Sequence, residues 1–164
     1  MTSRWMMAFV VAAGCSALAA APASAQQTFT LTAELHGANE TPAPGINTGA
    51  FGSATVTVDM RARTVTYRVD VFNLPSGVTA SHIHVGAAGT GGPVVVNFAP
   101  PVPASNDFAF SGTVRDTEFL LRPDLGIRSP DDMFQAILGG NSYVNVHSAV
   151  NPGGEIRGQL VLKK

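Results

Sequence analysis

This 164-residue chain has one cysteine and one tryptophan, Cys15 and Trp5, and both sit in an apolar leader. Residues 1–25 read as a secretory signal peptide. Arg4 is the lone charge of a short basic start, Trp5 to Ala21 is apolar or small, and Ala23-Ser24-Ala25 supplies the small residues a signal peptidase needs. Cleavage is expected after Ala25. A competing lipoprotein reading takes Val11-Ala12-Ala13-Gly14-Cys15 as a lipid-attachment box with Cys15 as the new N-terminus; the cleavage site that follows outweighs it. The apolar run is short for a spanning helix, so no membrane span is expected after removal, and the address is periplasmic or secreted.

Residues 26–164 therefore carry no thiol. No disulfide can form, so stability must come from a packed core, for which 139 residues suffice. Thiolate ligands are excluded too, and any metal would be held by nitrogen and oxygen. An excess of positive charge is also missing. Nine basic against eleven acidic side chains after Ala25 argue against a nucleic-acid partner. There is no G-x-S-x-G elbow, no P-loop and no H-E-x-x-H, so the common hydrolase and nucleotide chemistries have no residues to rest on.

What is present is period-two alternation, rich in Val, Thr and Phe and broken by Gly, Pro and Asn clusters. That pattern predicts an all-β fold, an antiparallel Greek-key β-sandwich in one domain over 26–164. Phe29, Leu31, Ala33 and Leu35 alternate with polar neighbours; Val56 and Val58 precede a turn at Arg61-Ala62-Arg63; Val65, Tyr67, Val69 and Val71 follow it in a hairpin. Val94, Val96 and Phe98 are expected on one face of a short strand, and Phe108, Phe110, Gly112 and Val114 on one face of another. One helix is expected, with Ser129 as N-cap, Pro130 at its first position, and Phe134, Ile137 and Leu138 on its buried face. Two strands close the chain, Ser142 to Ser148 and Glu155 to Leu162.

The stretch SHIHVGAAGTGGPVVVNF carries the chemistry. In a strand His82 and His84 project from one face, and Ile83 and Val85 from the other. His147 lies on the polar side of a later strand with Tyr143 and Asn145, opposite Val144 and Val146. Two imidazoles roughly 6 to 7 Å apart along one strand can converge on a small cation if a third arrives from a neighbour, and His147 is the candidate. The metal would sit on the wet outer face of the sandwich. Copper is favoured over zinc, since three imidazoles suit Cu(II) with an open position for water. Tyr143, Asn145, Glu155 and Arg157 are candidates to orient those imidazoles; the plain alternative for Glu155 and Arg157 is a surface ion pair. His36 shares a face with Glu34 and is read as exposed, ahead of a role as fourth ligand. The competing view of all four histidines is incidental surface polarity.

The segments LTAELHGANETPAP, SHIHVGAAGTGGPVVVNF and YVNVHSAVNPGGEIRGQL resemble the CHRD domain, named from chordin and widespread in bacterial secreted proteins. That resemblance implies a compact β-sandwich and a secreted or periplasmic address. A more distant likeness is to the copper-zinc superoxide dismutases, whose copper ligands include an H-x-H on one strand and a histidine near the end of a later one. His82, His84 and His147 match these in kind and order, without the zinc loop, the disulfide or the fourth copper ligand. Three functions follow as expectations: a metal-binding module, favoured; a copper-dependent redox enzyme of the dismutase type; or a structural or adhesive module whose loops hold an extracellular or periplasmic protein.

Overall fold

A computed structural model describes residues 27–100 and 105–164. The expected signal peptide and Cys15 lie outside the described residues. Nine strands and one helix follow in order: β1 (Thr28–His36), β2 (Phe51–Asp59), β3 (Thr64–Phe72), β4 (Val78–Val85), β5 (Val94–Asn97), β6 (Phe108–Arg115), α1 (Pro130–Leu138), β7 (Ser142–Ser148), β8 (Ile156–Gln159) and β9 (Val161–Leu162). All the strand pairings are antiparallel, in the order β5-β4-β7-β8-β1-β2-β3-β6, with β9 also on β1.

The fold is an all-β antiparallel sandwich, nearly closed. Two halves, β5-β4-β7-β8 and β1-β2-β3-β6, meet where β8 touches β1 through the single register pair His36 and Arg157. Gly158 makes that crossing possible, because a Cβ there would overlap the carbonyl of Glu34. On the open side the two edge strands approach again. Leu120 N–H, just past β6, donates to Val95 O of β5 at 2.9 Å, and Tyr67 of β3 stacks on Phe98 at 3.8 Å between centroids. The chain changes halves between β3 and β4, between β5 and β6, before β7 and again after β8, as a Greek-key path does.

Alternation explains the core. Leu31, Ala33 and Leu35 of β1, Val56 and Val58 of β2, and Val65, Val69 and Val71 of β3 all point inward and are buried. The β2–β3 turn is held by Asp59, whose Oδ1 accepts from Arg61 N–H at 3.0 Å and Ala62 N–H at 2.7 Å. Helix α1 begins as expected: Ser129 Oγ accepts from Asp132 N–H at 3.2 Å, and Asp132 Oδ2 accepts in return from Ser129 N–H at 2.9 Å. Arg63, bonded to Asp116 and Asp131, ties the helix start to the β2–β3 turn.

Three expectations need correction. Strand β5 does not alternate simply: a bulge opposite Ile83 and His84 turns both Val95 and Val96 inward, while Val94 is half-buried. The buried face of α1 is Met133, Phe134 and Ile137, with Leu138 only partly covered. The closing strand is two strands, because after Leu160, whose N–H still donates to Ser142 O of β7, the chain pairs with β1 instead.

Candidate metal centre

Strands β4 and β7 run side by side with Ile83 opposite Val144, His82 opposite Asn145, and His84 opposite Tyr143. Ile83, Val144 and Val146 face the core and are fully buried, so period two forces His82, His84, Tyr143, Asn145 and His147 onto the other face. That face was expected to be wet. It is covered instead: His84 and His147 are 8 % exposed, Asn145 4 % and Tyr143 3 %, and β7 is buried along its whole length. The cover consists of the loops after β1, between β4 and β5, and between β7 and β8. Glu40, Gly92 and Pro152 from those loops all bond to side chains of this face.

The structure brings the three predicted ligands together. One nitrogen from each of His82, His84 and His147 lies within 4.8 Å of the other two, and the ring centroids are 4.9 to 6.0 Å apart. Backbone carbonyls fix two of the rings. His84 Nδ1–H donates to Gly92 O at 2.9 Å and His147 Nδ1–H to Pro152 O at 3.0 Å, which leaves both Nε2 atoms as bare lone pairs. His147 Nε2 accepts from His82 Nδ1–H at 3.1 Å. His84 Nε2 is buried with no partner.

Electrostatics keep these nitrogens unprotonated. Burial, followed by the neighbouring His147 and His84, pushes the His82 imidazole down to about 4. His84 and His147 are likewise held below the usual imidazole range by burial, offset in part by their bonds to Gly92 and Pro152. All three rings are therefore neutral near pH 7, the form that binds metals.

The residues expected to orient the imidazoles divide by distance. Tyr143 is in contact: its ring stacks on His84 at 4.8 Å and 10°, and its hydroxyl accepts from Gly92 N–H at 3.1 Å. Arg157 caps the other face of that ring, Cζ 3.4 Å from the centroid, making a layered stack of imidazole, phenol and guanidinium. The plain alternative of a surface ion pair for Glu155 and Arg157 is overturned, since both are buried and neither forms a salt bridge among the described residues. Arg157 donates to Thr90 O at 2.7 Å and Ala87 O at 3.2 Å, tying down the glycine-rich loop. Glu155 accepts from Thr48 Oγ1 at 2.6 Å and from Ser148 Oγ; burial raises its carboxyl, but Ser148, Thr48 and Asn151 outweigh that and hold it below the ordinary range. Asn145 reaches Glu40 rather than a histidine. His36 is exposed and outside the cluster.

Sequence reasoning missed Glu40, 6 % exposed beside Asn145, and the two carbonyls at Gly92 and Pro152. A charged residue in a loop crowded with Pro42, Pro44 and Gly45 was the available signal for Glu40. Among the described residues no helix is long and apolar enough to cross a membrane. Searches of curated proteins and of solved structures find no match to the chain. The family model of the CHRD domain matches residues 31–160, which takes in most of β1, all of β2 through β8 and every side chain of the three-histidine cluster; the chain belongs to the CHRD domain family.

Proposed function

We propose that this domain is a secreted metal-binding module that holds a copper ion through His82, His84 and His147, with the leader of residues 1–25 supplying the extracellular or periplasmic address. The observation that carries the reading is the pair of Nε2 lone pairs on His84 and His147, aimed inward by hydrogen bonds from their own Nδ1 atoms to Gly92 and Pro152. Ligand imidazoles in metal sites are fixed in this way, the far nitrogen donating to a carbonyl or carboxylate. His82 completes the set by presenting Nδ1 once its proton has moved to Nε2. Nitrogen–metal distances of about 2.0 to 2.1 Å require the 4.8 Å spread to contract slightly, a small side-chain adjustment.

Nitrogen-only donors and the absence of thiolate favour copper over zinc in affinity. When bound, copper supplies a redox-capable cation; the chain supplies a neutral, largely water-excluded nest of imidazoles with Tyr143 bracing one of them. The test is metal stoichiometry. Protein 26–164 is loaded separately with copper and zinc, desalted, and analysed for metal beside the His82→Ala, His84→Ala, His147→Ala triple variant. About one retained copper per chain, absent from the variant, is the expected result. Retention by neither protein, or equally by both, overturns the reading.

A further inference from the structure

Three acceptor atoms are buried without a partner among the described residues: His84 Nε2, Glu40 Oε1 and Asn145 Oδ1. The first belongs to the metal centre. The other two both lie against Gly154. A Cβ placed on Gly154 would lie 2.6 Å from Glu40 Oε1 and 2.9 Å from Asn145 Oδ1, so both oxygens crowd one spot that only glycine leaves open. Asn145 Nδ2 borders the same spot, 2.6 Å from that Cβ, and donates to Glu40 Oε2 at 3.5 Å.

A carboxylate has no hydrogen to give, and neither has an amide oxygen. Two buried acceptors left unpaired at one spot keep their lost hydration uncompensated. A neutral carboxylic acid removes both deficits at once: Oε1–H donates to Oδ1 while Nδ2–H donates to Oε2, and the two bonds close a ring between acid and amide. We propose that Glu40 carries a proton that it shares with Asn145, and that this carboxyl is the proton-exchanging group beside the three-histidine centre.

The surroundings agree. Burial pushes the Glu40 carboxyl up to about 7, against the opposing pull of Arg157, Asn145 and Thr41. Arg157 on β8 is the cation facing it; the histidines of β4 and β7 are neutral by burial, and Glu155 is turned away to Thr48 and Ser148. Glu40 also stands between two pockets of about 280 and 190 Å³, lining both, so its proton has a route to solvent. Asn145 sits on β7 between Tyr143 and His147 and directly across from His82. A divalent ion at the histidines favours the ionised carboxyl, so loading expels the Glu40 proton; this last step rests on the metal reading above.

Glu40→Gln tests the shared proton without any metal, because an amide pairs with Asn145 as the neutral acid does. Urea unfolding of the metal-free protein is compared for wild type and variant at pH 5 and pH 8.5. Since the folded pKa lies above the unfolded one, the contribution of neutral Glu40 is complete below about pH 4.5 and is lost as pH rises through about 7. The variant is expected to match wild type at pH 5 and to unfold at higher urea at pH 8.5. A variant weaker than wild type by the same margin at both values, as an ionised Glu40 bridged by water or paired with Arg157 would give, overturns the proposal. If the variant does not fold, the carboxyl carbon resonances of the four glutamates in wild type decide: one is expected to titrate near pH 7, and four ordinary midpoints overturn it. Zinc loading at pH 6 then tests the coupling, with up to about one more proton released per ion by wild type than by Glu40→Gln. Equal release overturns the coupling, whereas no zinc binding by either protein, with the shared proton intact, counts against the metal reading alone.

Discussion

Strand β7 is buried on two faces that are filled in opposite ways. Its inner face, Val144 and Val146 against Ile83, is apolar and held by dispersion and exclusion of water. The outer face, Tyr143, Asn145 and His147, is as deeply buried, but three loops must supply partners for its polar atoms and leave some without any. The inner face can lose atoms and only stability suffers. On the outer face the same burial sets protonation states and lone-pair directions, so removing atoms there changes the donors that the proposed metal site depends on.

Ways to break that division run from large to small. Ile83→Ala should cost about 2–5 kcal/mol in urea unfolding while folded protein keeps its metal, because only the dry side is hollowed. His84→Ala or His147→Ala should reverse the pattern: copper affinity falls by more than the roughly 10–100-fold typical of a residue that merely orients a ligand, as titration against a competing chelator will show. Tyr143→Leu removes the ring stacked on His84 without removing a ligand, so a loss of about 10–100-fold is expected in the same titration. Equal affinities for Tyr143→Leu and wild type would confine the centre to the three histidines. The smallest effect belongs to the exposed Arg68–Asp70 pair on β3, where Asp70→Asn should change stability by less than about 1 kcal/mol and leave metal untouched.

Acid sharpens the comparison further. His82 has its folded pKa near 4, below the unfolded value of 6.5, so its contribution is complete above pH 6.5 and is lost as pH falls towards 4, where the unfolded chain takes protons that the buried cluster refuses. Glu40 works in the other direction over part of that range, and the histidine effect is best read in Glu40→Gln, as a fall in urea midpoint between pH 6.5 and 4.5.

The inner face was legible in the sequence because it is local. Alternation in β1, β2, β3 and β7 needs no knowledge of a partner, and the Ser129 cap announces α1 by itself. The same period two placed His82, His84 and His147 on one side, which is why the cluster could be foreseen. What covers that side could not. Glu40 lies 105 residues from Asn145, and Thr48 lies 107 from Glu155, and no spacing rule reaches that far. The Val95 bulge was hidden for a related reason: three consecutive valines fit either register, and the choice is made by β4 across the sheet.

The stack of Arg157, Tyr143 and His84 also makes the site visible. Residues 26–164 contain two tyrosines and no tryptophan, so their ultraviolet emission comes from Tyr67 and Tyr143 alone. Tyr67 is packed against Phe98 under the edge of the sandwich, on the other half from the histidines, whereas Tyr143 lies flat on one of the imidazoles that would hold the ion. A paramagnetic ion arriving there would darken one fluorophore far more than the other, giving the domain an intrinsic optical gauge of its own occupancy, with no label attached.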